Sequence, residues 1–174
     1  MLTQTINDYT LAVGFDPDPQ SPREWSSVGR IALLAGSRYA FGEEKLSREE
    51  LAAIANDPHI IVLPIYLYDH SGITIRTTPF SCPWDSGQVG IIYCHKAVAI
   101  KEWGKKIATK RVREKAMQYM TGEIQTLDQY LTGEVYFWEI TNAQGVSVDS
   151  CYGFYGTPQE CMAEAQAALH CLVR

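Results

Sequence analysis

The chain predicts an α+β fold: a single domain in which an antiparallel sheet of two hairpins plus added strands is packed by one long central helix and a C-terminal helix. Three observations carry this. Two pairs of β-rich runs are each joined by a turn, one through Asp69-His70-Ser71-Gly72 and the other through Asn142-Ala143-Gln144-Gly145. Between them, Val112, Ala116, Met120, Ile124, Leu127 and Leu131 recur in steps of three and four, the spacing of one helical stripe. Last, Thr157-Pro158-Gln159-Glu160 joins a capping threonine, a proline at the first helical position and a glutamate at N3, ahead of Cys161, Ala165, Leu169 and Leu172 at helical intervals. At 174 residues the chain has the size of one domain, residues 1–174.

The remaining elements follow in order. Tyr9–Val13 reads as a short strand. Pro17, Pro19 and Pro22 then exclude a helix, so Pro22-Arg23-Glu24-Trp25 is expected to run along the surface with Trp25 as its anchor. Ile31–Ala35 fits strand or helix, because a short apolar run has no decisive period. Ser47-Arg48-Glu49-Glu50 is a capping-box pattern opening a short helix that ends before Pro58. His59–Tyr68 is a strand that returns as Ile73–Thr77. Gln88–Ala99 reads as a third strand, with Val89, Ile91 and Tyr93 on one face and Ile92 and Cys94 on the other. The long helix is expected over Trp103–Leu131, open to interruption at Gly122. Glu134–Ile140 and Val146–Cys151 form the second hairpin.

Composition bounds the function classes. Hydrophobic residues at 46% and charged residues at 20% are globular values, which excludes a disordered chain. No apolar run is long enough to span a bilayer, and the opening MLTQTINDYT lacks the basic and apolar parts of a secretory signal, so no membrane contact and a cytoplasmic location are expected. Five cysteines at irregular spacing, Cys82, Cys94, Cys151, Cys161 and Cys171, read as free thiols. The net charge is −5, yet seven basic residues fall within Lys101–Lys115. A solvated helix face is the plain reading of that run. The sharper reading is a contact for an acidic protein surface or for nucleic acid, the latter weak and salt-labile through Lys105, Lys106, Lys110, Arg111 and Arg113.

Chemistry-bearing side chains are densest between Leu63 and Ile92. Asp69-His70-Ser71 puts an acid, an imidazole and a hydroxyl side by side, but a relay needs them to converge from different directions, so a turn capped by Asp69 and Ser71 is the better reading. The best nucleophilic arrangement pairs Cys82 with His70 or His95 and uses Asp85 as orienter, the pattern of a small Cys/His hydrolase or transferase. His70, Cys82, Asp85, Cys94 and His95 match no metal-ligand spacing, and no cofactor loop is present, so neither metal nor cofactor is expected. Trp84, between Pro83 and Asp85, is expected to fold back and be largely buried.

The strings PREW at 22–25, YLYDHSGITI at 66–75, PFSCPWDSGQVG at 79–90, QYLTGEVY at 129–136 and DSCYGFYG at 149–156 resemble those of an uncharacterised bacteriophage and prophage protein family. That resemblance lends no catalytic residues. It implies an accessory protein acting inside the host cell by binding and modulating or inhibiting a host macromolecule, such as a restriction or CRISPR defence component. The expected partner is a host protein or protein–nucleic acid complex. The expected binding surface joins the loop Phe80–Gly87 to Asp149–Tyr155, with Asp69, His70, Phe80, Trp84, Asp85, Asp149, Tyr152 and Tyr155 as its residues.

Overall fold

The computed structural model describes residues 1–173 and is an α+β protein. In chain order its elements are β1 (Leu2–Ile6), β2 (Tyr9–Phe15), β3 (Arg30–Leu34), β4 (Glu44–Leu46), α1 (Arg48–Asn56), β5 (Ile60–Asp69), β6 (Ile73–Arg76), β7 (Ser86–His95), α2 (Lys96–Glu102), α3 (Lys110–Thr132), β8 (Val135–Thr141), β9 (Ser147–Tyr155) and α4 (Pro158–Leu172), with a 3-10 turn over Pro22–Glu24. The chain divides into two compact units, Met1–Ser21 with Gln129–Arg174, and Pro22–Asp128. Among the described residues no helix is long and apolar enough to cross a membrane.

In the first unit the strand order is β1-β2-β8-β9, antiparallel throughout. The β1–β2 turn is closed by Asn7 at φ 53°, a left-handed conformation that asparagine tolerates. Alternation puts Leu11, Val13, Tyr136, Trp138 and Ile140 on one face, where Cys161, Ala165 and Leu169 of α4 cover them. α4 starts as the sequence predicts: the Thr157 hydroxyl accepts from the Glu160 N–H, and the Glu160 carboxylate accepts from the Thr157 N–H.

In the second unit the order is β4-β3-β7-β5-β6, parallel only between β3 and β4. β7 is central and covered on both faces. Ile91 and Tyr93 pack with Ala32 and with Leu51 of α1, whose Ser47–Glu50 capping box is formed. Ile92 and Cys94 face the opposite way, toward Glu123 of α3. β3 approaches so closely that a Cβ on Gly90 would lie 2.2 Å from the Ala32 carbonyl oxygen, so only glycine fits there. The α3 stripe is buried at Val112, Ala116, Met120, Ile124 and Leu127. Apart from Ala116, each such side chain contributes about 1.5–3 kcal/mol when removed from water, which outweighs the few tenths per residue of helix propensity.

Four expectations are corrected. The two predicted hairpins, β5–β6 and β8–β9, belong to separate sheets, because sheet membership follows pairings distant in sequence, β2 with β8 and β3 with β7. The third strand ends at His95, whose pairing with Ile60 closes the ladder, and Lys96–Glu102 is helical. The long helix begins at Lys110 rather than Trp103: Gly104 at φ 57° ends α2, with the Gly104 N–H donating to the Lys101 carbonyl and the Lys105 N–H to that of Ile100. α3 then runs unbroken through Gly122. Finally, Trp25 is 44% exposed, short of a buried anchor, and Arg23 fastens the segment before β3.

Arg23 donates from Nε to Glu43 Oε1 at 2.7 Å, from Nη1 to Glu123 Oε2 at 3.3 Å and from Nη2 to the Gly29 carbonyl at 2.8 Å. Glu123 Oε1 also accepts from the Val28 N–H at 2.7 Å. Burial pushes the Glu123 carboxyl above its ordinary 4.5, against the opposing pull of the Val28 and Gly29 N–H groups and of Arg23. Stability from its protonated form is therefore present below about pH 4.5 and is lost as pH rises through the raised value. Urea denaturation from pH 4 to 7 should show wild type losing more stability toward neutrality than Glu123→Gln; parallel profiles would refute the raised carboxyl. Glu123→Ala, which strands buried donors, should cost about 3 kcal/mol at neutral pH.

Candidate functional site

The connection between β6 and β7 is fastened at both ends. The Asp69 N–H donates to the Asp85 carbonyl at 2.9 Å, and the Ser86 hydroxyl donates to the Cys82 carbonyl. Arg76 donates from Nε to the Thr78 carbonyl at 3.0 Å and from Nη2 to that of Pro79 at 2.5 Å, and its guanidinium lies 3.8 Å from the centre of the Phe80 ring. Phe80 in turn meets Tyr68 at 5.6 Å, and Tyr68 stacks with His70 at 6.0 Å. An aromatic row thus supports the loop from β5.

The tip carries Trp84, 91% exposed. This reverses the expectation of a buried tryptophan: the backbone brackets and the Phe80–Arg76 stack stabilise the loop without the indole, which is left in water.

His70, Cys82 and Asp85 do come together. Asp85 Oδ2 lies 3.5 Å from His70 Nδ1 and 4.0 Å from Cys82 Sγ. The carboxylate sits between the other two groups, so the thiol faces an acceptor instead of an imidazole base. A Cys–His–Asp relay needs the imidazole in the middle. His95, the other candidate base, is exposed beside buried Cys94 on β7. Among the described residues no group of three or more His, Cys, Asp or Glu side chains could hold a metal ion.

Asp69 does not cap its own turn. Its Oδ2 accepts from the Tyr39 hydroxyl at 2.6 Å and pairs with Arg38, and these two contacts, Tyr39 first, hold its carboxyl below the usual aspartate value. The turn is made by the His70 N–H donating to the Gly72 carbonyl, with Ser71 at φ 60°. Arg38 and Tyr39 carry no local sequence signal for this role. Arg76, four residues before Phe80, does carry one.

The second predicted string lies in the other unit, so the two strings are described as surfaces of separate units. Asp149 accepts from the Ser150 N–H, Tyr152 is 57% exposed and stacks on Phe137 at 5.1 Å, and the Tyr155 hydroxyl donates to the Gln20 carbonyl at 2.8 Å. Burial, with Tyr130 and Asp16 nearby, pushes Tyr155 up to about 12. Tyr155 is thereby committed to holding the Gln20 backbone, whereas Tyr152 offers a ring to solvent. The basic residues divide: Lys105 and Lys106 lie in the connection before α3, while Lys110, Arg111 and Arg113 lie on its first turns, all exposed.

No family model, curated protein or solved structure matches this chain.

The thiol environments predict a labelling order with iodoacetamide at neutral pH. Cys171 is exposed, Cys82 and Cys151 are half-buried, and burial pushes Cys94 and Cys161 each up to about 11. Cys171 should label first and Cys94 and Cys161 only after unfolding. Selective labelling of Cys82 ahead of Cys171 would contradict the order of contacts at Asp85 and revive a nucleophilic role.

Proposed function

We propose that this is a phage-type accessory protein that acts in the host cytoplasm by binding, with the Phe80–Gly87 loop as the contact that engages a host protein and modulates or inhibits it. A defence component of the restriction or CRISPR kind is the target class that the sequence resemblance favours. The observation that supports this reading is Trp84, nearly fully exposed on a loop whose backbone is fastened by Asp69, Arg76 and Ser86. A tryptophan offers about 150–250 Å² of contact area, so burying it against a partner is worth up to roughly 6 kcal/mol at about 25 cal/mol per Å². Interface hot spots are enriched in tryptophan, and a loop already held in shape loses little conformational freedom on binding. Phe80 at the start of the loop and His70 beside it would contribute flatter contacts at its rim, and Asp85 a charged one.

Trp84→Ala separates binding from folding. Its melting curve should match wild type within about 0.5 kcal/mol, as for surface substitutions. In affinity capture from host cells followed by mass spectrometry, the protein retained by wild type should be absent from the Trp84→Ala sample. A large drop in melting temperature would mean that the indole packs within the fold, and undiminished capture would remove the loop from the interface.

A further inference from the structure

A cavity of about 610 Å³ opens where the connection after α2 meets the first turns of α3. Its lining includes Trp103, Lys105, Thr109, Arg111, Lys115 and Gln118. Local rules build it. The left-handed Gly104 turn that ends α2 sets Trp103 and Lys105 on either side of the reversal. Arg111 and Lys115, four residues apart, share a face of α3, next to the buried stripe of Val112 and Ala116. The Lys115 ammonium lies 5.4 Å from the centre of the Trp103 ring, whose orientation is fixed by an edge contact with Tyr119 at 6.3 Å.

Two properties of this arrangement point to a ligand. Three cations converge, although like charges four apart on a helix repel. Among the described residues Lys105, Arg111 and Lys115 form no ion pair, and the carboxylate in the lining, Glu114, is engaged by Lys110 at 3.8 Å. The second property is a flat indole in the wall of a positively charged cavity. A group of phosphates would relieve the repulsion, and a planar ring would use the indole; a nucleotide brings both.

We propose that this cavity binds single-stranded nucleic acid, with one unpaired base against Trp103 and the flanking phosphates on Lys105, Arg111 and Lys115. An acidic peptide would satisfy the cations but bring no planar ring to the indole. A free nucleotide would fill the cavity but make no use of Lys106, Lys110 and Arg113, which continue the exposed positive charge outside it. A duplex would keep its bases paired and away from the wall.

The test is fluorescence anisotropy of the full chain with labelled dT12 and rU12 between 50 and 200 mM salt. Both should bind, with log affinity falling against log salt at a slope of about −2, from about 0.7 per phosphate for three contacts. Arg111→Gln with Lys115→Gln should flatten that slope to about −0.7. Trp103→Ala should weaken binding about tenfold and Trp103→Phe should restore most of it, as stacking requires. Trp84→Ala should bind the oligonucleotides as wild type does, which separates this site from the loop. Several results would overturn the proposal: no binding at 50 mM salt, a 12-base-pair duplex binding as tightly, ATP displacing dT12 at matched nucleotide concentration, or a salt slope unchanged in the double charge variant. That last variant changes only exposed side chains, so it decides the matter even if Trp103→Ala does not fold.

Discussion

The carboxylate of Glu123 is the interaction on which the second unit depends. It stands in the middle of α3 with its side chain 12% exposed, and it gathers the Val28 and Gly29 N–H groups and Arg23, which in turn reaches Glu43. A buried charge is costly unless hydrogen bonds offset its desolvation. Here they offset part of it, and the consequence is positional: the chain entering β3 can take one path over α3, and Ile92 of β7 fills the space beside Gly29 so tightly that a Cβ there would lie 2.6 Å from it. Asp128, one turn further along, accepts from the Thr74 hydroxyl at 2.8 Å and the Ile75 N–H at 2.7 Å, pinning β6 to the same helix. Two acidic residues on one helix thus fix both ends of a sheet whose apolar contacts alone would allow it to slide.

What the sequence makes legible is what is decided locally. Both capping boxes, the three- and four-residue steps of the α3 stripe and the Asn142–Gly145 turn rest on residues close in sequence and form as expected, and the Asp69–Gly72 reversal forms too, though without Asp69 as its cap. β1 is legible only through its turn: Asn7-Asp8 between LTQTI and YTLAVGF is a turn signal, while the run before it is too polar to mark a strand. Gly104 likewise marked the end of α2 before the α3 stripe began. Glu123 was not legible. It sits one position from Ile124, at the edge of the stripe, and nothing within a helical turn reveals that its partners are 94 and 95 residues away.

The candidate loop divides the same way. Its density of polar and aromatic residues marked it, and proximity in sequence brought His70, Cys82 and Asp85 within reach of one another. Which group would stand in the middle depended on the register of β5 against β7, where Tyr68 pairs with Ser86 and a shift occurs between Ile65 and Tyr66. A one-residue change in that register would turn every side chain to the other face. The exposure of Trp84 had the same origin. A loop with weak internal bonding would need its tryptophan as a plug; this one is closed by Arg76 and Ser86, and the indole is released from structural duty.

The two surfaces of the second unit rest on different physics, and that difference makes them separable. Contact through Trp84 is dominated by apolar area, which changes little with ionic strength in the physiological range. Contact through Lys105, Arg111 and Lys115 depends on displaced counterions and weakens steeply as salt rises. An acidic chain gains little for its own folding by gathering seven bases between Lys101 and Lys115, since surface charge pairs contribute little and like charges repel. In the two proposals the uneven charge is addressed outward, as is the unplugged tryptophan. A target that presents both a protein surface and an exposed nucleic-acid strand would engage the two at once, and the linked contacts would raise the overall affinity above that of either one alone.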